Sequence, residues 1–246
     1  MNDFIVKTNV AYGLETTRAH LLDIMRPDSS AALPVVIHFH GGGWHMFGKY
    51  LPETEFLAHT GFCVVSANYR YAQDAFFPAQ FEDAKAVVRF LRENATQFNI
   101  DPTRVYAWGI SAGAHIAALL GSDGSSNLKA VACICSPTDL SNAVDWALEY
   151  ADTAFGFLLD ARADTHPELA RAASPLHQVS SQSAPTLIVH GALDTLVPIA
   201  QAKAFEAAFD QAGVPSRLVI IPNGDHFINE THMPLIQAEI LKFFRP

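Results

Sequence analysis

The chain has 246 residues, half of them hydrophobic and 17% charged, with a formal net charge of −9 at pH 7. That length suits a single α/β domain, and the composition is the opposite of a disordered chain, which pairs low hydrophobicity with high net charge. Lys and Arg number 16 against 25 Asp and Glu, with no clustered basic run, which argues against the basic patches that bind nucleic acid or anionic membranes.

The N-terminus, MNDFIVKTNVAYG, shows no basic region followed by an apolar stretch and a small-residue cleavage site. No apolar run approaches the ~18 residues of a membrane span, so a cytoplasmic protein is expected. The first thirty residues, including AHLLDIM (19–25), read as two antiparallel strands at a sheet edge. PVVIHFH (34–40) is continuously apolar and β-branched, as in a strand covered on both faces. FCVVSANY (62–69), RVYAWG (104–109), KAVACIC (129–135), PTLIVHG (185–191) and SRLVIIP (216–222) repeat the theme.

Amphipathic stretches lie between several of these strands. FEDAKAVVRFLRENA (81–95) puts Phe81, Ala84, Val87, Val88 and Leu91 on one helical face. AQAKAFEAAFDQAG (200–213) does so with Ala204, Phe205, Ala208 and Phe209, stopping at Gly213. The segment around Leu235–Phe244 completes the alternation. The expected class is α/β: a mostly parallel sheet with helices on both faces, in one domain over 1–246. Residues 139–180, with Trp146, Leu148, Tyr150, Phe155, Phe157 and Leu158, are too long for an ordinary crossover. They leave a strand's carboxyl end, where such folds bind ligands, so a small cap is expected in preference to one crossover helix. Cys63, Cys133 and Cys135 sit in apolar runs without CxxC spacing, as buried free thiols of a reducing compartment would.

Gly109-Ile110-Ser111-Ala112-Gly113 follows the strand RVYAWG and opens the helical run AGAHIAALLG. A GxSxG string alone is weak, but between strand and helix it reads as a nucleophile elbow. The flanking glycines avoid backbone clashes, and the Ala112 N–H and the positive helix end come near a developing oxyanion. His40-Gly41-Gly42-Gly43-Trp44 follows another strand, and the Gly42 and Gly43 amides can point inward with no side chains in the way. A phosphate-cradling loop is the competing idea, but neither a Walker Lys nor GxGxxG spacing is present. His40 reads as a structural hydrogen-bonder to the loop.

A Ser hydroxyl needs a base, and the base needs a carboxylate to fix its tautomer. The expected chain order is Ser, acid, His, the last two in loops after successive strands. PTLIVHG leads to Asp194 and SRLVIIP leads to His226, so both occupy equivalent strand ends on the rim that carries Ser111. His232 and Asp225 are the runners-up. No HExxH spacing occurs, and neither metal nor cofactor is expected.

HGGGW (40–44), NYRYA (68–72), FPAQFEDAKAVVRFLR (77–92), IDPTRVYAWGISAGAHIAALLG (100–121), HGALDTLVP (190–198) and GDHF (224–227) together resemble the α/β-hydrolase superfamily. More narrowly they resemble carboxylesterases of the hormone-sensitive-lipase type and their feruloyl-esterase-like bacterial branch. The resemblance covers about residues 20–244. It implies an eight-stranded sheet whose second strand is antiparallel, with Ser111, Asp194 and His226 as triad and Gly42, Gly43 and Ala112 as oxyanion donors. Two departures stand out: the chain is shorter than typical hormone-sensitive-lipase-type esterases and is expected to lack their N-terminal cap helices, and SAGAH (111–115) with DHF (225–227) looks like arylformamidases.

The reading is a serine esterase for small acyl or aryl esters, with an arylformamidase and a non-catalytic binding module as rivals. Trp44, Tyr71, Phe77, Trp146 and Phe155 are candidate substrate-binding residues. The expected partner is a small-molecule ester, not nucleic acid or membrane; a homodimer stays open.

Overall fold

A computed structural model of the chain describes residues 4–13, 17–141, 156–160, 165–228 and 232–244. Eight strands form one sheet: β1 (Phe4–Ala11), β2 (Leu21–Pro27), β3 (Leu33–Phe39), β4 (Cys63–Ala67), β5 (Ile100–Ile110), β6 (Ala130–Ile134), β7 (Thr186–Gly191) and β8 (Ser216–Ile221). Their order is β1-β2-β4-β3-β5-β6-β7-β8, and only β2 runs against its neighbours. The helices are α1 (Glu55–Ala58), α2 (Ala79–Glu93), α3 (Ala95–Phe98), α4 (Ala112–Ser122), α5 (Gly156–Leu159), α6 (Pro167–Ala172), α7 (Ile199–Ala212) and α8 (Met233–Phe243). This is the α/β-hydrolase fold that the resemblance implied, with its single antiparallel strand second in the chain.

The period of two along the central strands sorts their side chains into two cores. Val35, Ile37, Val65, Val105, Val131 and Ile188 face one side, packed with Val87 and Leu91 of α2, the α4 alanines, and Phe205 and Phe209 of α7. Val36, Val64, Trp108, Ala132 and Val189 face the other, packed with Leu57 of α1 and with Ile236 and Ile240 of α8. Both faces being covered explains why these strands read as continuous apolar runs. Helix α7 differs from expectation in phase. Ala202, Phe205 and Phe209 are buried while Ala204 is exposed, because the two large rings set which side turns inward. It ends as expected, at Gly213 in the left-handed region (φ 69°).

Of the expected cap, residues 142–155 and 161–164 lie outside the described residues, and Trp146 and Phe155 with them. Within the described part, Leu158 and Leu159 are buried and the Leu158 carbonyl accepts the Phe77 N–H at 2.8 Å. Among the described residues no helix is long and apolar enough to cross a membrane. All three cysteines are free and buried.

Candidate active site

Every parallel strand points its carboxyl end at the same rim, so the loops after β3, β5, β7 and β8 meet there. After β5 the chain turns abruptly into α4 at Ser111, whose φ of 55° and ψ of −120° lie where side-chain-bearing residues rarely sit. Such strain costs on the order of 1–3 kcal/mol and persists only where surroundings over-determine it. Here the Ser111 N–H is tied to the Ile134 carbonyl at 2.8 Å, and its carbonyl accepts the His115 N–H at 3.0 Å. The turn also needs bare backbone beside it: a Cβ on Gly113 would lie 2.0 Å from the Phe39 carbonyl oxygen. This close approach clamps the elbow against the end of β3.

After β7, Asp194 is held by its own loop, Oδ1 accepting the N–H groups of Leu196 (2.9 Å) and Val197 (2.8 Å). After β8, His226 places Nδ1 2.8 Å from Asp194 Oδ2 and Nε2 2.9 Å from Ser111 Oγ. Burial would push the Asp194 carboxyl up. The His190 N–H 3.3 Å away, the hydrogen bond and charge of His226 and the Val197 amide outweigh it and hold the group well below the usual carboxylate range. An ionised carboxylate only accepts, so Nδ1 of His226 carries the proton and the neutral ring turns its Nε2 lone pair toward the Ser111 hydroxyl. Ser111, Asp194 and His226 are all less than a tenth exposed.

The loop after β3 lies against the elbow, with the Cβ direction of Gly41 only 3.7 Å from Ser111 Cβ. Gly42 has φ 106°, and a Cβ there would meet the Met46 carbonyl oxygen at 2.4 Å. The N–H groups of Gly42, Gly43 and Ala112 make no hydrogen bond among the described residues. Beside the loop opens a cavity of about 470 Å³ lined by Arg18, His40, Gly41, Phe47, Tyr50 and Glu53 among others, but by none of Ser111, Asp194 and His226.

The expected wall residues fare unevenly. Trp44 belongs to the core rather than to an open wall: it is fully buried, and its indole N–H donates to His115 Nδ1 at 3.2 Å. Tyr71 is half-buried, with its hydroxyl on the Phe47 carbonyl and the Arg18 guanidinium 5.2 Å from its ring centre. Phe77 is half-buried and packs against the core. The runner-up Asp225 is exposed and accepts the Phe227 N–H at 3.1 Å, and His232 stands at the start of α8. Neither joins the hydrogen-bonded chain.

The model of the BD-FAE family matches residues 22–209. The chain belongs to the BD-FAE family. The match includes Ser111 and Asp194; His226 lies beyond it. This BD-FAE protein is 32% identical to Esterase LipQ of Mycobacterium tuberculosis (strain ATCC 25618 / H37Rv) over an alignment 228 positions long that covers 85% of the chain and 54% of LipQ. The chain thus spans about half the length of the curated relatives it matches. It superposes on a truncated form of a carbohydrate esterase from gut microbiota with a TM-score of 0.87 at 24% identity, covering 98% of this chain and 97% of that one. An acetyl ester-xyloside bifunctional hydrolase from Caldicellulosiruptor lactoaceticus gives 0.77 at 27% identity, over 91% and 88%.

Sequence reasoning missed the exposed apolar side chains next to the central residues in this BD-FAE protein. Phe227 is 79% exposed and stands edge-on to the His226 ring at 5.7 Å, and Leu193, beside Asp194, is 59% exposed. The available signal was a large apolar residue in a polar loop directly adjoining a candidate acid or base. His190 was also passed over, although its Nε2 lies 3.3 Å from Asp194 Oδ2.

Two other histidines shape the protein's response to pH. Burial, against a hydrogen bond to the Ala173 carbonyl, pushes His115 down to about 4. Burial likewise pushes His40 down to about 4, although its Nδ1 donates to the Gly41 carbonyl at 2.7 Å. Between pH 6.5 and 4 the unfolded chain binds protons that the folded rings refuse, so stability falls as pH falls through that window. The loss reaches up to about 3 kcal/mol per ring. Denaturant unfolding from pH 7 to 4.5 should show the decline, with a shallower slope in His115→Gln. A flat profile would contradict the assignment.

Proposed function

We propose that the protein is a serine hydrolase of carboxylic esters, cleaving small acyl or aryl esters through an acyl-enzyme on Ser111. The observation that supports this best is the unbroken chain from Ser111 Oγ through His226 to Asp194, at 2.9 and 2.8 Å, beside unengaged loop amides. The names of LipQ and of the solved esterases agree with it.

Ser111 Oγ bonds to the ester carbonyl carbon while its proton passes to His226 Nε2. Asp194 keeps the Nδ1 proton in place and stabilises the imidazolium. The oxyanion is taken by the amides of Gly42, Gly43 and Ala112, each such donor contributing roughly 3 kcal/mol to the transition state. His226 then protonates the leaving alcohol oxygen as the C–O bond breaks, and water repeats the sequence on the acyl-enzyme. In this reading residues 139–180 cap the site within a single domain.

Comparing kcat/KM for p-nitrophenyl acetate and N-formylkynurenine tests the choice of bond. The ester should be preferred. A formamide preference would replace ester by amide, and turnover of neither would sink the reading. Phe227, edge-on to the base, is placed to meet an aryl or acyl group. Phe227→Ala should raise KM for an aryl ester about 3–10-fold, the loss of roughly 1 kcal/mol of aromatic contact, and leave that for an acetyl ester nearly unchanged. Equal effects on both would remove Phe227 from the substrate's path.

A further inference from the structure

Asp194 accepts from more directions than orienting one imidazole requires. Its Oδ1 is already fixed by the amides of Leu196 and Val197, at 2.9 and 2.8 Å. Its Oδ2 faces two rings: His226 Nδ1 at 2.8 Å and His190 Nε2 at 3.3 Å. His190 lies in β7 four residues before Asp194 and is completely buried. The same His190 Nε2 lies 2.8 Å from the Val197 carbonyl oxygen. Two oxygen acceptors around one ring nitrogen require that nitrogen to carry the proton. His190 therefore donates to the Val197 carbonyl, with Asp194 Oδ2 a second, longer contact beside the same N–H at 3.3 Å, while its Nδ1 is buried with no hydrogen-bond partner among the described residues. The one engaged nitrogen of this ring serves the loop that carries Asp194.

We infer that His190 is a positioning residue that acts through Asp194, dividing the carboxylate's charge between two rings and so setting how strongly Asp194 holds the protonated form of His226. The inference rests on the triad reading above. Because the two amides pin Oδ1, loss of His190 leaves the carboxylate aimed as before. What changes is the strength of its pull. An N–H dipole held 3.3 Å from a carboxylate oxygen stabilises its charge and weakens what it offers to a second partner, so removing that N–H raises the affinity of His226 for its proton.

The other titratable groups around Asp194 are few. Cys135, just after β6, has its sulfur within 4.8 Å of ligand atoms of both His190 and Asp194. Burial pushes its thiol up, so it stays neutral at working pH. Asp225, beside His226 in the loop after β8, is exposed. Both are unchanged in every variant below.

The test is an NMR titration of the His226 ring in wild type, His190→Leu and His190→Gln, with kcat/KM measured against pH in parallel. Leu removes the donor; Gln restores an N–H at similar reach. In His190→Leu the His226 midpoint should rise by roughly half a unit or more, and the acid limb of kcat/KM should move up with it. His190→Gln should stay close to wild type. An unchanged or lowered midpoint in His190→Leu, or an equal shift in His190→Gln, would reduce His190 to packing. Should His190→Leu not fold, His190→Phe removes the donor with a ring in place. The titration needs no turnover, so an inactive wild type would overturn the hydrolase reading and leave this test standing.

Discussion

Ser111→Ala should abolish ester turnover while the protein keeps its fold. The expected loss in kcat is roughly 10⁴–10⁶-fold, the scale on which serine hydrolases depend on their nucleophile. Stability should change little, within about 1 kcal/mol, for reasons local to the elbow. The backbone ties of residue 111 to Ile134 and His115 do not involve the hydroxyl. Among the described residues the only side-chain partner lost is His226 Nε2. Alanine carries the same Cβ penalty at φ 55° that serine does. Kinetics with p-nitrophenyl acetate, alongside a denaturant melt, check both halves. Retained turnover would place the chemistry elsewhere, and a collapsed fold would make any loss uninformative about the hydroxyl.

Asp194→Asn should cost roughly 10⁴-fold in kcat, the size of effect that a wrong imidazole tautomer produces. The geometry says why. Oδ1 accepts two backbone N–H groups, so the amide oxygen of Asn must occupy that position and its NH₂ must take the place of Oδ2. There it faces the Nδ1 of His226 and forces it to accept. The ring's proton then moves to Nε2, pointing at Ser111 Oγ, where it cannot take up the serine proton. Unlike the serine variant, this enzyme should recover part of its activity at high pH, where hydroxide does the work of the base. A variant retaining more than a tenth of wild-type kcat at neutral pH would argue against the assigned role of Asp194.

Much of the fold was legible because burial of strands on both faces writes itself into the chain as largely apolar runs rich in β-branched residues. Val35 to Phe39 and Leu187 to Val189 are examples. Ser111 was legible from its setting between strand and helix, and Asp194 and His226 from their equivalent strand ends. Trp44 was not. A tryptophan after three glycines reads as a wall over an open site, yet Gly42, Gly43 and Trp44 all take positive φ. That turn carries the indole inward to His115, a partner 71 residues away. Phe227 failed in the opposite sense, since an aromatic residue after a histidine gives no sign of whether it turns to core or solvent. His190 lay hidden inside an apolar strand, and only the return of the β7 loop brings Asp194 to it.

The most direct test of the central claim is the site of covalent labelling. Treatment with a fluorophosphonate, followed by digestion and mass spectrometry, should place one adduct on Ser111, absent when the protein is unfolded first. No adduct, or one on another serine, would contradict the account.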